Sequence, residues 1–404
     1  MEWFNEERLH YILTFPVETM ALLTDGGDDF ADKEYADLTA EMWSKGHSFF
    51  CYLSNSPDSL SSCCRLRNEI HKDDPHNHTT HQYSMGTASV ATGSKSVMTI
   101  NLNRLIQDAT RRYYKEKKGI NLAAGAPVPA SPVVDRKVLY EDYIAVDIRQ
   151  MTERVHKYQT AFNEIIKDFL KADMLDVYRA GFINMRKQYL TVGVNGLTEA
   201  AEFLGLSVSP NDEYKLFVNT VLETINICNS QDRTPDTMFN TEFVPAENLA
   251  AKNYKWDKKD GYFVSSKHNL YSSYFYNPED VNTSMIDKFK LHGEEFVRYL
   301  DGGSALHMNI AEHLSKEQYR ALLNTAAHYG TNYFTFNCRN TVCNKCGYIS
   351  KDTLKVCPHC GSEDLDYLTR IIGYLKRISS FSEARQEEAG IRYYSPSEAA
   401  EAVK

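Results

Sequence analysis

Two cysteine pairs near the end of the sequence constrain the fold more than any other feature. Each pair has two residues between its members, and ten residues separate the pairs: Cys343, Cys346, Cys357 and Cys360. Gly347 and Gly361 directly follow them, as in metal-binding knuckles. Two such hairpins can offer four thiolates in a tetrahedron, the usual arrangement of structural zinc. An iron–sulfur cluster or a redox dithiol is the alternative interpretation, and Cys338 lies outside both pairs.

Composition narrows the class of protein. The chain has 404 residues, enough for two or three ordinary domains or for one large α/β barrel with an appendage. Its net charge of -9 argues against non-specific nucleic-acid binding, which depends on neutralising phosphates. The first residues do not resemble a secretory signal, and no apolar run is long enough for a membrane span. Nine cysteines, four of them clustered, predict a cytoplasmic protein without a disulfide framework.

Apolar periodicity predicts alternating helices and strands. Helices are predicted over 35–44, 104–118, 140–173, 196–205 and 211–228, and strands over 49–53, 97–102, 189–195, 239–243 and 332–337. The longest helix carries apolar residues at steps of three and four: Ile144, Ile148, Met151, Val155, Tyr158, Phe162, Ile165 and Phe169. This single stripe predicts packing in the core or in a dimer.

A short apolar run that contains a glycine follows the cysteine pairs. The run covers residues 371–375, and its Gly373 lies 13 positions after Cys360. Its simplest interpretation is a buried strand whose glycine marks a bulge or a close approach of two backbones. The cysteine cluster before it and the adjacent Cys63 and Cys64 far upstream favour a functional interpretation instead.

These features together resemble the C-terminal part of anaerobic (class III) ribonucleotide reductases, which are glycyl-radical enzymes. The resemblance runs from about Thr14 to Tyr394 and includes the motif at 370–375. Six further segments match in order: 62–66, 98–102, 191–197, 243–248, 300–307 and 332–337. The resemblance implies an α/β fold with a ten-stranded barrel of the glycyl-radical type, a C-terminal zinc ribbon and a radical loop.

The resemblance also implies how the chain is divided. The expected parts are a catalytic barrel portion over 1–337 with a finger loop near 54–66, a zinc ribbon over 338–362, and a radical loop and tail over 363–404. Members of the family usually carry further N-terminal sequence before the part matched here. We therefore expect either a fragment, one half of a split enzyme, or a shortened form.

Residue roles follow from the resemblance. Gly373 would carry the stable radical, because a glycine α-carbon can become planar with no side chain in the way. Cys64 would become the transient thiyl radical and Cys63 would assist in reduction, although the two roles could be exchanged. A neighbouring arginine, Arg65, favours a thiolate. Glu247 would do acid/base work at the ribose, and a simple charge at a helix N-terminus is its alternative.

Two further residues are candidates for substrate binding. Ser304 ends a Gly-Gly-Ser turn, whose backbone N–H groups could cradle an anion, although an ordinary turn is the alternative interpretation. Asn101 lies in one of the matching segments.

The activity implied by the resemblance is reduction of ribonucleoside triphosphates to 2′-deoxyribonucleotides. The expected cofactors are a structural zinc ion and the glycyl radical. The expected partners are a radical-SAM activating enzyme with an iron–sulfur cluster, a thiol, formate or a redoxin as reductant, and a second copy or the missing N-terminal half. Two rival functions are another glycyl-radical lyase or dehydratase and a non-catalytic protein that restores a damaged radical loop on a partner.

Overall fold

The described part of the chain is a mixed α/β structure. The computed structural model describes residues 1–55, 60–61, 67–68, 93–128, 135–244, 248–371 and 373–403. Thirteen strands occur in these segments: β1 (Thr19–Leu23), β2 (Phe50–Ser54), β3 (Leu60–Ser61), β4 (Arg67–Asn68), β5 (Gly93–Asn101), β6 (Gln188–Asn195), β7 (Met238–Phe243), β8 (Leu306–Asn309), β9 (Tyr333–Asn337), β10 (Asn340–Cys343), β11 (Ile349–Ser350), β12 (Leu365–Arg370) and β13 (Leu375–Arg377).

Helices separate most of these strands. The same segments contain α1 (Glu2–Glu7), α2 (Lys33–Ser44), α3 (Leu102–Tyr113), α4 (Arg136–Val138), α5 (Ala145–Lys171), α6 (Asp176–Arg179), α7 (Leu197–Phe203), α8 (Asp212–Gln231), α9 (Leu249–Lys259), α10 (Met285–Leu291), α11 (Glu294–Val297), α12 (Lys316–Tyr329) and α13 (Glu383–Ile391). Short π-helical turns continue α3 over Tyr114–Lys118 and precede α5 over Leu139–Ile144. Among the described helices, none combines the length and the apolar composition that crossing a membrane requires.

Two sheets follow one another through a short backbone junction. The first is parallel throughout, in the order β5-β6-β7, and the second has the order β1-β2-β9-β8. Within the second sheet β1 is parallel to β2 and β8 to β9, while β2 and β9 are antiparallel. A parallel bridge between Glu242 and Gly303 joins the end of β7 to the turn before β8. The described segments thus supply a series of seven strands, and the ten-stranded barrel stays a prediction.

The two faces of this series differ in polarity. Successive side chains of a strand point to opposite faces. On β8, Leu306 and Met308 belong to the main hydrophobic core, so His307 and Asn309 lie on the other face. β9 repeats this pattern with its own polar residue, Asn337. The polar face is therefore buried as well, and its side chains must find hydrogen-bond partners there.

The apolar face packs against helices α2 and α12. The Trp43 ring of α2 stacks on Phe49 at a centroid distance of 4.6 Å and meets Phe336 edge-on at 4.6 Å. Trp43 is 1% exposed. We expect its truncation to alanine to cost about 3–5 kcal/mol, because a cavity of that size cannot collapse fully. This packing fixes β2 and β9, which carry the polar face on their reverse side.

Most predicted elements are confirmed, and the long helix shows one difference. The predicted helices at 35–44 and 211–228 correspond to α2 and α8, and the predicted strand at 49–53 to β2. On α5 the apolar stripe divides in two. In its first part Ile144, Ile148 and Val155 are buried and Met151 is partly buried, but its last four members are exposed: Tyr158, Phe162, Ile165 and Phe169. The prediction of core packing is therefore wrong for these four, while packing in a dimer stays a prediction. The stripe repeats every 3.5 residues, whereas the buried face of the helix follows the 3.6-residue period to Gln159, Asn163 and Ile166.

Candidate active site

The glycine of the apolar run lies at the tip of a β-hairpin. β12 and β13 are antiparallel, and their pairing runs from Leu368 with Arg377 to Arg370 with Leu375. Gly373 is partly exposed in the connection between them. The simplest sequence interpretation, one continuous buried strand through the run, is therefore wrong. A glycine suits a position where the ladder has ended and the backbone must reverse.

The Arg370 side chain ties the hairpin tip to the strand series. Its guanidinium donates hydrogen bonds to the hydroxyl and the carbonyl of Ser48, at 2.9 and 2.7 Å. It also donates to the carbonyl of Gly373 at 2.7 Å and lies over the Phe50 ring, 5.1 Å from its centroid. Burial lowers the pKa of Arg370 to about 10, so the group remains a cation at neutral pH. A buried cation thus contacts the carbonyl of the glycine itself.

The main chain just before the tip is held from the polar face and from the C-terminal tail. The carbonyl of Arg370 accepts hydrogen bonds from Asn337 Nδ2 at 3.1 Å and from Arg392 at 2.7 Å. Asn337 also donates to Asn309 Oδ1 at 3.2 Å, which links the hairpin to β8 and β9. The hairpin tip therefore meets the polar side of the strand series.

The four clustered cysteines fit a tetrahedral metal site. Their sulfur atoms all lie within 4.8 Å of one another. The Sγ atoms of Cys343 and Cys360 are 3.6 Å apart, as are those of Cys346 and Cys357. Zn–S bonds of about 2.3 Å in a tetrahedron place sulfur atoms about 3.8 Å apart, so the observed spacing matches zinc well. All four positions would be protein ligands, which is typical of a structural ion.

The cysteine cluster and the hairpin share one sheet. Its strand order is β11-β10-β12-β13, so β12 of the hairpin pairs directly with β10. The first metal-binding candidate, Cys343, is the last residue of β10 and pairs with Leu365 of β12. Burial opposes ionisation of Cys343, but N–H groups of Cys346 and Lys345 favour its thiolate and its pKa falls to about 7. The hairpin is thus paired with the strand that ends at the first of the four cysteines.

Comparison with known proteins identifies the family. The family model of the anaerobic ribonucleoside-triphosphate reductases matches residues 4–394. The chain belongs to this family. The rival interpretation as another glycyl-radical lyase or dehydratase is therefore not favoured.

Solved structures of anaerobic ribonucleotide reductases are similar to most of this chain. One of them has a TM-score of 0.75 at 24% identity, covering 98% of this chain and 57% of its own. The enzyme from Thermotoga maritima in complex with dATP and CTP has a TM-score of 0.72 at 26% identity, covering 96% of this chain and 58% of its own. The present chain thus spans less than two thirds of the length of these structures. Comparison with curated proteins gives no match.

Three of the predicted site residues fall in segments that the structure does not describe. Cys63, Cys64 and Glu247 lie outside the described residues. The short strands β3 and β4 pair antiparallel immediately before and after the segment 62–66 in the sequence. The roles of these three residues therefore stay predictions.

Asn101 has its polar atoms engaged within the protein. Its Oδ1 accepts the backbone N–H of Arg104 at 3.1 Å and so caps α3. Its Nδ2 donates to both carboxylate oxygens of the buried Asp257, at 3.1 and 3.0 Å. These contacts give Asn101 a structural role, and its predicted contact with substrate stays a prediction.

The Gly-Gly-Ser turn is anchored to β7. The N–H of Gly302 donates to the carbonyl of Thr241 at 2.8 Å, and that of Gly303 donates to Leu300 at 3.0 Å. A Cβ atom on Gly302 would lie 2.6 Å from the Thr241 carbonyl oxygen, so only glycine fits. Both glycine N–H groups are thus used inside the protein, which weakens the anion-cradle interpretation. The hydroxyl of Ser304 remains the candidate group of this turn.

Sequence reasoning missed several residues around the turn and the hairpin. Burial raises the pKa of Asp301 to about 6, against the N–H groups of Thr241 and Gly302 that favour its charged form. Its carboxylate accepts a hydrogen bond from the Thr241 N–H at 2.7 Å and so links the turn to β7. An aspartate before two glycines is a signal that could have indicated this. No local pattern marks Ser48 or Arg392, because their role depends on contacts between distant parts of the chain.

Proposed function

We propose that this chain is the glycyl-radical catalytic part of an anaerobic ribonucleoside-triphosphate reductase. The observation that carries the proposal is a glycine at a hairpin tip, held by a buried arginine, in a chain of this family. The proposed substrate is a ribonucleoside triphosphate, and the dATP and CTP bound by the Thermotoga maritima enzyme support this class. The proposed architecture is the ten-stranded barrel with a zinc ribbon and a radical loop, divided at residues 337 and 362.

The proposed chemistry separates storage of the radical from its use. Gly373 stores the unpaired electron on its α-carbon, and the Cys64 thiol gives its hydrogen atom to that carbon. The resulting thiyl radical abstracts the 3′ hydrogen of the ribose. Glu247 takes the proton of the 3′ hydroxyl and helps the 2′ hydroxyl to leave as water. A thiol, redoxin or formate supplies two electrons, with Cys63 as an assisting thiol.

The proposed partners follow from this chemistry. A radical-SAM activating enzyme with an iron–sulfur cluster would remove the first hydrogen atom from Gly373. The active assembly would be a homodimer or a complex with a polypeptide that supplies the N-terminal half. We place the protein in the cytoplasm, where its cysteines stay reduced. Zinc bound by the four-cysteine cluster would hold the frame of the hairpin without taking part in the reaction.

Anaerobic activation tests the central step. The activated chain should give an electron-spin doublet, split by the one hydrogen that remains on the Gly373 α-carbon. Gly373→Ala should abolish the doublet, whereas Cys64→Ser should keep it and stop product formation. Air should cut the activated chain at Gly373, and mass spectrometry should detect the C-terminal fragment. An activated chain that shows no doublet and stays intact in air, with and without an added N-terminal half, contradicts the proposal.

Glu247 has its own test. Glu247→Gln removes the base but keeps the size and hydrogen-bonding capacity of the side chain. We expect turnover to fall by roughly a hundredfold or more, since general acid/base catalysis contributes effects of that size. Substrate affinity and the electron-spin doublet should not change. Equal turnover of the variant and the unchanged chain would return Glu247 to a structural role.

A further inference from the structure

A group of buried charges lies between the C-terminal tail and the hairpin. Arg385 and Glu388 of α13 and Arg392 just after it are each at most 5% exposed. The Glu388 carboxylate forms ion pairs with both guanidinium groups. Buried charge is costly unless it is paired and hydrogen-bonded, so further oxygen acceptors beside Arg392 add to its stabilisation.

Main-chain carbonyls of the hairpin are those acceptors. Arg392 donates to the carbonyl of Arg370 at 2.7 Å and to the carbonyl of Ile371 at 2.8 Å. On its other side Arg392 donates to Glu388 Oε1 from Nε at 3.1 Å and from Nη2 at 2.5 Å, and Nη2 lies 3.4 Å from the Tyr274 hydroxyl. The planar guanidinium can bond both partners at once, with the carboxylate fixing its orientation.

The contacted carbonyls lie where the hairpin needs support. The β12–β13 ladder ends at the pair Arg370 and Leu375, so Ile371 is already beyond it. Arg392 thus bonds the last paired residue and the first unpaired residue on the way to Gly373. Two charge-assisted bonds at this point restrict how the tip can tilt relative to the sheet.

We propose that Arg392, oriented by Glu388, is a positioning residue that fixes the depth of the Gly373 α-carbon. This inference rests on the proposed function, in which a hydrogen atom passes between Gly373 and a cysteine thiol. Such a transfer needs reacting atoms about 3–3.5 Å apart, and a misplacement of about 1 Å can cost a hundredfold in rate. Within the described residues, the hydrogen bonds of Arg392 go to Arg370, Ile371, Glu388 and Tyr274 and not to Gly373 itself.

Hydrogen exchange measures the positioning without any radical. In the full, unactivated chain, Arg392→Gln should raise exchange of the ladder amides next to the tip, at 368–370 and 375–377, by roughly tenfold to a hundredfold. This range follows from the loss of hydrogen bonds to a charged group. The exchange rate of Arg392→Lys should lie between those of Arg392→Gln and the protein without substitutions, because an ammonium keeps the charge but lacks the planar fork of hydrogen-bond donors. Arg320→Gln is the matched control, since Arg320 bonds the carboxylates of Asp29 and Asp37 instead of the hairpin.

Turnover per radical supplies the second measurement. In activated protein, Arg392→Gln should lower product formed per glycyl radical by tenfold or more, at unchanged zinc content, while Arg320→Gln should not. An unchanged exchange rate near the tip of Arg392→Gln overturns the inference. Faster exchange combined with full turnover per radical overturns it as well. If Arg392→Gln does not fold, Arg392→Lys decides by the same criteria. If the protein without substitutions forms no radical, only the proposed function is contradicted. The hydrogen-exchange measurement still tests whether Arg392 positions the hairpin tip.

Discussion

The cysteine cluster and the hairpin tip share a sheet but are specified in different ways. All four thiols come from one stretch, 343–360, and two short spacings bring them together. The tip is held by Ser48, Asn337 and Arg392, of which Ser48 is 322 residues away from Arg370 in sequence. A local site needs only its own loops to form, whereas the tip depends on the packing of the whole chain. The cysteine cluster can be inferred from the spacing of its residues, whereas the contacts of the hairpin tip can be inferred only from the fold.

The largest effect is expected from the removal of one thiol. This change removes the metal site but leaves the arginines that hold the hairpin tip in place. Cys357→Ser should eliminate bound zinc, about one ion per chain, since a three-thiolate set loses the closed tetrahedral site. Exchange of the β12 amides should rise together with this loss. Elemental analysis measures the metal. Cys338→Ser is the control, since Cys338 is buried outside the cluster and should leave the zinc in place. Full zinc content in Cys357→Ser would disprove the ligand assignment.

The opposite experiment substitutes Arg370, which removes a long-range contact of the hairpin tip and leaves the metal site in place. Arg370→Lys cannot keep the three hydrogen bonds that reach Ser48 and Gly373. We expect product per radical to drop by roughly tenfold or more, because two or more bonds to a charged group are lost. Zinc should stay at about one ion per chain. Arg112→Lys serves as the comparison variant, since Arg112 contacts Asp147 and the Tyr143 ring and not the hairpin. Loss of zinc from Arg370→Lys would show that the two regions are not independent in this direction.

A smaller effect is expected on the pH dependence of stability, through a buried histidine near the C-terminal tail. His268 borders the same small cavity as Arg385 and Glu388 of the tail. Burial opposes its charge, but hydrogen bonds with Glu199 at 3.0 Å and Glu279 at 2.6 Å prevail and raise the pKa of His268 to about 10. The folded pKa exceeds that of the unfolded chain, about 6.5. The stabilisation is therefore complete below about pH 6.5 and is lost as the pH rises to about 10.

Thermal unfolding measures this loss. The melting temperature of the unchanged chain should exceed that of His268→Gln, and the difference should shrink by at least about 2 °C between pH 6.5 and pH 10. His328→Gln is the control, since the His328 ring is largely exposed beside Asp28. A difference that stays constant over this range would mean that His268 is not charged in the folded chain.

The sequence predicted those parts whose pattern is long or rigidly spaced. Helices α2 and α8, strand β2 and the four cysteines follow from periodicity and from ligand spacing. The hairpin at 371–375 could not be derived from its local pattern, because four apolar residues around a glycine fit a buried strand and a hairpin connection equally well. The sequence did not show that Asn101 caps α3 and bonds Asp257, and its contact with substrate stays a prediction. Such assignments depend on which residues the fold places beside one another.

The shared sheet has a practical consequence for peptide chemistry. Within the order β11-β10-β12-β13, strand β12 has a neighbour on each side, and only one of these belongs to the hairpin. A synthetic peptide that begins at Leu365 would leave one edge of β12 unpaired and prone to associate with other strands. A peptide for isotope labelling should therefore begin before Asn340, so that the knuckle, with its metal, is included as a template for the hairpin.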